Sequence, residues 1–387
     1  MPTAVILDAV RSARGKRKGS LASVHPVDLA AHVLRAALER TRIPPEAVDD
    51  VVLGCVTQVG EQGLNVARGA VLAAGLPIGL AGKTVNRLCG SGLQAVDDVA
   101  CAVLAGRAEV AIGGGVESMS RVPLGSDYQG GEGPTSPGLR AHFPDLVNQG
   151  LSAELVARAY NLSRSQLDEF AAASQGNAAT ARAEGRFLKE IVSVPVRGAD
   201  GVEHGFAEDE HLRPGTTVQT LSALKPAFRQ DGVIHAGNSS GIVDGAAAVV
   251  VASSEAAKRL GIRPRARIVA CAVAGSDPVL MLTGPIPSTR KALAKAGWRL
   301  EDVDLWEINE AFAPVPLAVG RELGIPLDRI NVNGGAIALG HPLGATGAML
   351  LATLLCELER RELRRGAVTL CIGYGMGITL LLDRALG

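Results

Sequence analysis

Aromatic side chains are scarce: six Phe, three Tyr and two Trp make up 3% of the 387 residues. That excludes a stacking platform for single-stranded nucleic acid. An excess of charge is missing too. Lys plus Arg (39) equals Asp plus Glu (39), so no broad field favours a nucleic-acid or membrane surface. Long apolar runs are absent. The longest, around 348–356, falls far short of a membrane span, and the opening 1–10 carries Asp8 and is too short for a signal peptide. None of the six cysteines (Cys55, Cys89, Cys101, Cys271, Cys356, Cys371) forms a C-x-x-C pair. Zinc and thioredoxin-type readings therefore have no support, and free thiols in a chain this long fit a reducing cytosol.

What is present is apolar and rich in glycine. Hydrophobic residues make up 47% and charged residues 20%, which excludes wholesale disorder. The 47 glycines cluster in short motifs rather than repeats, as tight turns and close backbone contacts require. A chain this long is expected to hold two or three domains.

Strand and helix patterns alternate, which places the chain in the α/β class. Strands are predicted at 4–9, 51–55 and 110–112, the last ending in Gly113-Gly114-Gly115, and an amphipathic helix at 27–41. After Met119 the composition turns to Gly, Pro, Ser and Asp over 121–148. Two helices are predicted within 152–186, the second opened by Ser163-Arg164-Ser165-Gln166, a capping-box pattern. The stretch 197–214 is polar and irregular, and strand patterning returns at 245–252. The segment 119–240 thus reads as a long excursion whose helices favour a functional role. The last third repeats the first in outline: strands at 268–274, 304–308, 331–333, 368–372 and 378–383, with helices at 288–296, 311–323 and 344–359. The last of these helices is apolar on nearly every side and should be buried. Each half has a glycine-rich turn leading into a central helix, one at Cys89 and one at His341. A pseudo-two-fold between the halves would bring these turns together.

Cys89 lies in Val85-Asn86-Arg87-Leu88-Cys89-Gly90-Ser91-Gly92-Leu93, where an apolar stretch gives way to helical spacing at Leu93, Val96, Ala100 and Val103. Unpaired N–H groups and the dipole at a helix N-terminus favour thiolate over thiol. Gly90 and Gly92 leave room for a substrate carbonyl. A free cysteine is more often a small buried hydrophobe, so the other motifs decide. His341, in the glycine-rich run 333–347, precedes a proline. As a neutral imidazole it can take a thiol proton, although alone it reads equally well as a capped loop histidine. Cys371 opens Cys371-Ile372-Gly373-Tyr374-Gly375-Met376-Gly377. A phosphate-cradling loop fails there, because no P-loop lysine follows and a strand comes next. Exposed backbone N–H groups suit an oxyanion hole better. In Glu307-Ile308-Asn309-Glu310-Ala311-Phe312-Ala313, Asn309 can hold a water, donate a hydrogen bond or cap a helix.

Together these motifs resemble those of the thiolase family. The runs 86–92, 113–120, 235–248, 309–313, 333–347 and 371–377 stand in the family's order, and the likeness covers essentially the whole chain. The resemblance implies a thiolase fold: two pseudo-symmetric βαβαβαββ halves in a layered αβαβα arrangement with an inserted loop domain. The division it implies is 1–118 plus 241–260, then 119–240 over the coenzyme A site, then 261–387. It implies reversible Claisen condensation of two acyl-CoA (acetyl-CoA) units, or CoA-dependent thiolysis of a 3-ketoacyl-CoA, by a ping-pong route through acyl-Cys89. In that scheme His341 activates Cys89, and Cys371 exchanges a proton with the substrate's α-carbon. Asn309 positions a water that completes one oxyanion hole with His341, and the N–H groups of Cys89 and Gly373 form the other. Phe228, Ala236 and Ser240 follow the pantetheine arm, Arg213 lies near the nucleotide end, and Gln149 and Phe312 join the substrate site. No cofactor or metal is implied, since coenzyme A thioesters are substrates. The implied assembly is a cytoplasmic homodimer or homotetramer with no nucleic-acid or membrane partner.

The chemistry is self-consistent. Sulfur-to-sulfur acyl transfer is nearly balanced, and an enolate needs preorganised donors in a dry site. One thiol cannot be acylated and basic at once, so carbon–carbon bond formation calls for a second. Two rivals remain open. A decarboxylating condensing enzyme on the same fold would use Cys with two His or Cys-His-Asn, against which the Cys371 and Asn309 motifs argue. A non-catalytic acyl-CoA or lipid-binding relative would not need all four reactive motifs. Four departures from the family pattern stand out. Tyr374 occupies a place where many thiolases have glycine, and His235 replaces a frequent threonine. Asn148-Gln149 replaces the His-Met pair of short-chain biosynthetic members, and 121–148 is shorter than in many relatives. The last two point away from strict acetoacetyl-CoA specificity.

Overall fold

The computed structural model describes residues 3–131, 133–198 and 201–385, so positions 132, 199 and 200 of the expected covering segment lie outside the described residues. Nine strands carry the main sheet: β1 (Ala4–Ser12), β2 (Asp50–Gly54), β3 (Ala81–Val85), β4 (Val110–Ser118), β5 (Val243–Ser253), β6 (Ala266–Gly275), β7 (Leu305–Ile308), β8 (Arg365–Ile372) and β9 (Met376–Asp383). Their spatial order is β7-β8-β9-β6-β1-β5-β4-β2-β3, with the short strands Gly15–Lys16 and Ile191–Val192 paired to β5 and β1.

The order contains the same motif twice. In the first half β5 lies antiparallel between β1 and β4, and β2 runs parallel to β4 and to β3. In the second, β9 lies antiparallel between β6 and β8, and β7 runs parallel to β8. The counterpart of β3, predicted at 331–333, is not a strand. Only an isolated parallel bridge between Trp306 and Ile330 remains. Asn331 is the reason. It turns the chain with φ 47°, and its carboxamide pairs with the N–H and C=O of Ile308, both at 2.8 Å, where a strand backbone would have paired.

The main helices are α1 (Pro26–Thr41), α2 (Val66–Ala73), α3 (Ser91–Leu104), α4 (Gln149–Ala159), α5 (Arg164–Ala183), α6 (Pro285–Ala296), α7 (Pro314–Leu323) and α8 (Thr346–Arg360). Periodicity sorts them into layers. The apolar faces of α1 and α2 bury Leu29, Val33, Leu34, Val66 and Val71 against the first half-sheet. Those of α6 and α7 bury Ile286, Ala292, Val315 and Val319 against the second. The helices α3, with Gln94, Asp97 and Asp98 on its outer side, and α8, apolar nearly all round, lie between the two half-sheets: Leu93, Val96, Leu351 and Leu355 share one core with Val249 and Val251 of the first half and Leu370 and Leu380 of the second. Burying each such side chain is worth about 1.5–3 kcal/mol. The insertion between β4 and β5 leans on the second half, where Ala153, Val156, Leu167 and Ala171 of α4 and α5 join the core of α7. The capping box forms at Ser163 and Gln166 as the pattern predicts.

One boundary differs in an informative way. The glycines 113–115 do not end a strand, because β4 continues to Ser118. A Cβ on Gly113 would lie 2.7 Å from Ala95 O, on Gly114 2.1 Å from Ala247 O, and on Gly115 1.9 Å from Gly344 O. Glycine lets this strand run flush against α3 and under the turn that bears His341.

Candidate active site

The Cys89 turn joins β3 to α3 and is braced by its own side chains. Ser91 Oγ accepts from Arg87 N at 2.8 Å and donates to Leu88 O at 2.6 Å. Asn86 Oδ1 accepts from Leu88 N at 2.8 Å, and its Nδ2 donates to Val56 O at 3.0 Å. These bonds hold Leu88 at φ 46°, a left-handed conformation that costs a non-glycine residue about 1–2 kcal/mol. The turn thereby places Cys89 under the end of β8. A Cβ on Gly90 would lie 2.5 Å from Ile372 Cδ1, and one on Gly373 2.8 Å from Leu88 Cδ1 and 3.5 Å from Gln149 Nε2.

Donors converge on the sulfur. The N–H groups of Cys89 and Gly373 both favour Cys89 Sγ as a thiolate, and Gln149 Nε2 stands 4.0 Å from it. Helix-end stabilisation of a thiolate, expected from the sequence, does not prevail. Burial raises the Cys89 thiol to about 11, against the pull of these three donors. Cys371, fully buried at the end of β8, faces Cys89 closely enough for the two sulfurs to repel as thiolates, and burial pushes its thiol up as well. Both sulfurs rest protonated at neutral pH.

His341 caps the approach to α8. Its turn meets the Cys89 turn directly: a Cβ on Gly92 would lie 2.7 Å from Gly344 O, and one on Gly347 2.4 Å from Leu93 N. Cys89 and Leu343 pack in one apolar cluster with Val56 and Met119. Hydrogen bonds assign the imidazole tautomer. Thr346 Oγ1 donates to Pro342 O at 2.8 Å, so toward His341 Nδ1, 2.6 Å away, it accepts. Nδ1 therefore carries the proton and Nε2 presents a lone pair. Burial, with the nearby Arg14 charge, lowers His341 to about 3, so it is neutral across the physiological range. Asn309, beyond the end of β7, directs Nδ2 at this Nε2 from 3.4 Å, and its Oδ1 is buried without a partner among the described residues.

The residues expected to hold coenzyme A fall into two places. Phe228 and Phe312 meet edge-to-face at 5.9 Å, and Phe228 presses on Gly150 beside Gln149. Ser239 bridges to Phe312, Ser240 N donates to Ala311 O at 3.0 Å, and Ala236 opens the turn Ala236–Asn238 just before them. Arg213 stands apart from this group. It is exposed, its N–H is tied to Gln175 Oε1 at 2.9 Å, and its guanidinium makes no ion pair among the described residues. His235 anchors the loop. It accepts from Gly237 N at Nδ1 and donates from Nε2 to Asp168 at 2.7 Å, which fastens residues 235–240 to α5. Tyr374 sits at φ 61°, the conformation for which glycine is the easier choice, with its ring half in solvent. A separate cleft of about 370 Å³ between α5 and α7 contains none of the predicted site residues.

Three supporting residues were not picked out from the sequence. Asn86 and Ser91 flank Cys89 at the spacing of side-chain-capped turns, which is a readable signal. Thr346 follows His341 by five residues in a tight turn, and that geometry is not readable locally.

Opposed turns from two half-sheets, one bearing a buried thiol beside a second thiol and the other a neutral imidazole, define a class: two-half α/β enzymes built around a reactive cysteine. Comparison with known proteins narrows it. Residues 4–255 match the thiolase N-terminal domain and 262–384 the thiolase C-terminal domain. An acetyl-CoA acetyltransferase of Pseudomonas aeruginosa is 48% identical over 99% of this chain and 100% of its own length. A 3-oxoadipyl-CoA/3-oxo-5,6-dehydrosuberyl-CoA thiolase of Escherichia coli is 47% identical over 99% and 100%. The crystal structure of the Bacillus anthracis acetyl-CoA acetyltransferase superposes with a TM-score of 0.91 at 42% identity, covering 99% of each chain. The chain belongs to the thiolase family, has the thiolase fold and is an acyltransferase.

Proposed function

We propose that the enzyme works by ping-pong acyl transfer through Cys89, in the direction of either thiolysis or condensation. The observation that carries this reading is the tautomer of His341, whose Nδ1–H is committed to Thr346 and whose Nε2, 3.4 Å from Asn309 Nδ2, presents the lone pair of a base. In thiolysis, the Cys89 proton passes to His341 Nε2 and Sγ bonds to the ketone carbon of a 3-ketoacyl-CoA. The N–H groups of Cys89 and Gly373 stabilise the negative charge that develops on the former ketone oxygen. The carbon–carbon bond then breaks, and the resulting acetyl-CoA enolate takes its proton from the Cys371 thiol. His341 with the Asn309 side stabilises that enolate oxygen, and the proton on His341 returns Cys371 to the thiol. Free CoA next attacks the acyl-Cys89 thioester, gives its proton by way of His341 to Cys89, and leaves as acyl-CoA. Condensation is the reverse. A resting Cys371 thiol is already the acid that the cleavage step requires.

Coenzyme A lies along Phe228, Ala236, Ser240 and Phe312, and Arg213, whose guanidinium has no ion-pair partner among the described residues, meets the phosphates. The segment 119–240 is the covering domain, between the halves 1–118 plus 241–260 and 261–387. The enzyme is cytosolic, a reading supported by six unpaired cysteines. No helix among the described residues is long and apolar enough to cross a membrane. It assembles as a homo-oligomer through β3, the free edge of the sheet, flanked by the exposed Leu64 and Ile78. The decarboxylating alternative is disfavoured by a cysteine, Cys371, in place of a second imidazole.

Gln149 beside Cys89 supports an acyl range wider than acetoacetyl-CoA. Ranking kcat/KM over 3-ketoacyl-CoA substrates of increasing length tests this. Turnover of longer or polar chains at rates comparable to acetoacetyl-CoA is expected, and turnover of acetoacetyl-CoA alone would refute it.

A further inference from the structure

Two buried carboxylates that none of the steps above uses grip the His341 segment at either end. Glu117, near the end of β4, receives four donors: Val56 N (2.9 Å) and Gly344 N (2.9 Å) at Oε2, Thr57 N (3.1 Å) and Gln62 Nε2 (2.8 Å) at Oε1. Glu310, just beyond β7, receives three: Ser174 Oγ (2.7 Å) and Ile337 N (3.0 Å) at Oε2, Asn331 Nδ2 (2.9 Å) at Oε1. Both are fully buried, and neither has an ion-pair partner among the described residues. Holding a carboxylate in such a place costs several kcal/mol before its hydrogen bonds are counted. Apolar side chains would fill the space more cheaply, so the position calls for acceptors.

The donors show what these acceptors join. Ile337 and Gly344 lie on either side of His341, four residues before it and three after it. The Glu310 end is closed by Ser174, whose Oγ also accepts from Gly335 N at 3.1 Å. The Glu117 end is tied to the nucleophile. Val56 N donates to Glu117, Val56 O accepts from Asn86 Nδ2 at 3.0 Å, and Asn86 Oδ1 accepts from Leu88 N, one residue before Cys89. An unbroken route thus runs from the Cys89 turn through Asn86, Val56 and Glu117 to the His341 turn, which belongs to the other half of the molecule.

We propose that Glu117 and Glu310 are positioning residues of the acyl-transfer reaction, clamping 337–344 at both ends so that His341 stays in register with the Cys89 turn. This rests on reading His341 as the base that serves Cys89. A glutamine cannot replace the carboxylate at either place: at Glu117 its NH2 would face a backbone N–H whichever way it turned, and at Glu310 it would face either Ile337 N or Asn331 Nδ2.

The test uses Glu117→Gln and Glu310→Gln, alone and in a His341→Asn background, in the full-length enzyme with acetoacetyl-CoA and CoA. The readouts are kcat, KM and the rate of Cys89 alkylation by iodoacetamide. Gln62→Ala and Ser174→Ala, which remove one partner from each clamp, serve if either glutamine variant fails to fold. Misplacing a reacting group by about 1 Å costs on the order of a hundredfold. Each glutamine variant is therefore expected to lower kcat by about ten- to a hundredfold with KM within about twofold, and to add no further loss when His341 is already asparagine. The alanine variants are expected to show the same pattern at smaller size. Losses as large in the His341→Asn background as in the native one, or a raised KM with unchanged kcat, overturn the clamp alone. A His341→Asn enzyme with full turnover overturns the reading of His341 and the clamp with it.

Discussion

At the residue scale, Cys89 shows how two local effects compete. A helix N-terminus favours an anion by about 0.3–1 kcal/mol. Burial moves the thiol from its ordinary 9.0 to about 11, which is worth about 3 kcal/mol, so burial wins. The thiolate fraction should therefore grow only as pH climbs toward about 11. Ultraviolet thiolate absorbance, taken as the difference between native enzyme and Cys89→Ala, is expected to be absent at neutral pH. A thiolate signal already at pH 7 would indicate a preformed imidazolium–thiolate pair instead. Cys89, His341, Cys371 and Asn309, which the fold brings to one place, could be singled out in the sequence because each stands in a dense, ordered motif. The resting charge of Cys89 was not, because it depends on desolvation by residues distant in sequence. Arg14 was equally hidden. It is a buried guanidinium whose effect on His341 travels through space from the end of β1.

At the element scale, period and turn chemistry revealed most strands and helices, and failed where a side chain took over a backbone task. The strand expected at 331–333 gives way to Asn331, whose amide pairs with Ile308 in its stead. The glycines 113–115 looked like a strand end, but they are strand interior that must pass within contact of Ala95, Ala247 and Gly344. Single-residue composition cannot separate those two uses of glycine. The loop after β8 makes a sharper case. A Cβ at Gly373 would meet Leu88 Cδ1 at 2.8 Å and Gln149 Nε2 at 3.5 Å. Gly373→Ala should cost about 1–3 kcal/mol in stability, by overpacking. It should also slow Cys89 acylation by at least about tenfold, because the Gly373 N–H shifts away from the sulfur. Stopped-flow release of CoA from acetyl-CoA measures the second effect, and native-like acylation would remove Gly373 from the oxyanion site.

At the scale of the whole molecule, the repeated strand order explains why the Cys89 and His341 turns, from distant parts of the chain, meet. Each opens the central helix of its half, and α3 and α8 pack on one another between the half-sheets. The duplication was visible in the sequence only as an outline of similar patterns, since the two halves share almost no residues. The free edge at β3 was not visible at all. Leu64, fully exposed and left-handed at φ 54°, and Ile78, 85% exposed, flank that edge strand. The assembly proposed above predicts an oligomer for the native enzyme in sedimentation and a monomer for Leu64→Glu combined with Ile78→Glu; a native monomer would refute it. An unchanged oligomer would place the interface elsewhere. The central claim is that acyl transfer and carbon–carbon chemistry are divided between two sulfurs. It is tested most directly by mixing Cys371→Ala enzyme with labelled acetyl-CoA and mapping the label by peptide mass spectrometry. The account predicts one acetyl group on Cys89, with stoichiometric release of CoA and no acetoacetyl-CoA. Label on any other residue, or no acylation without Cys371, would contradict it.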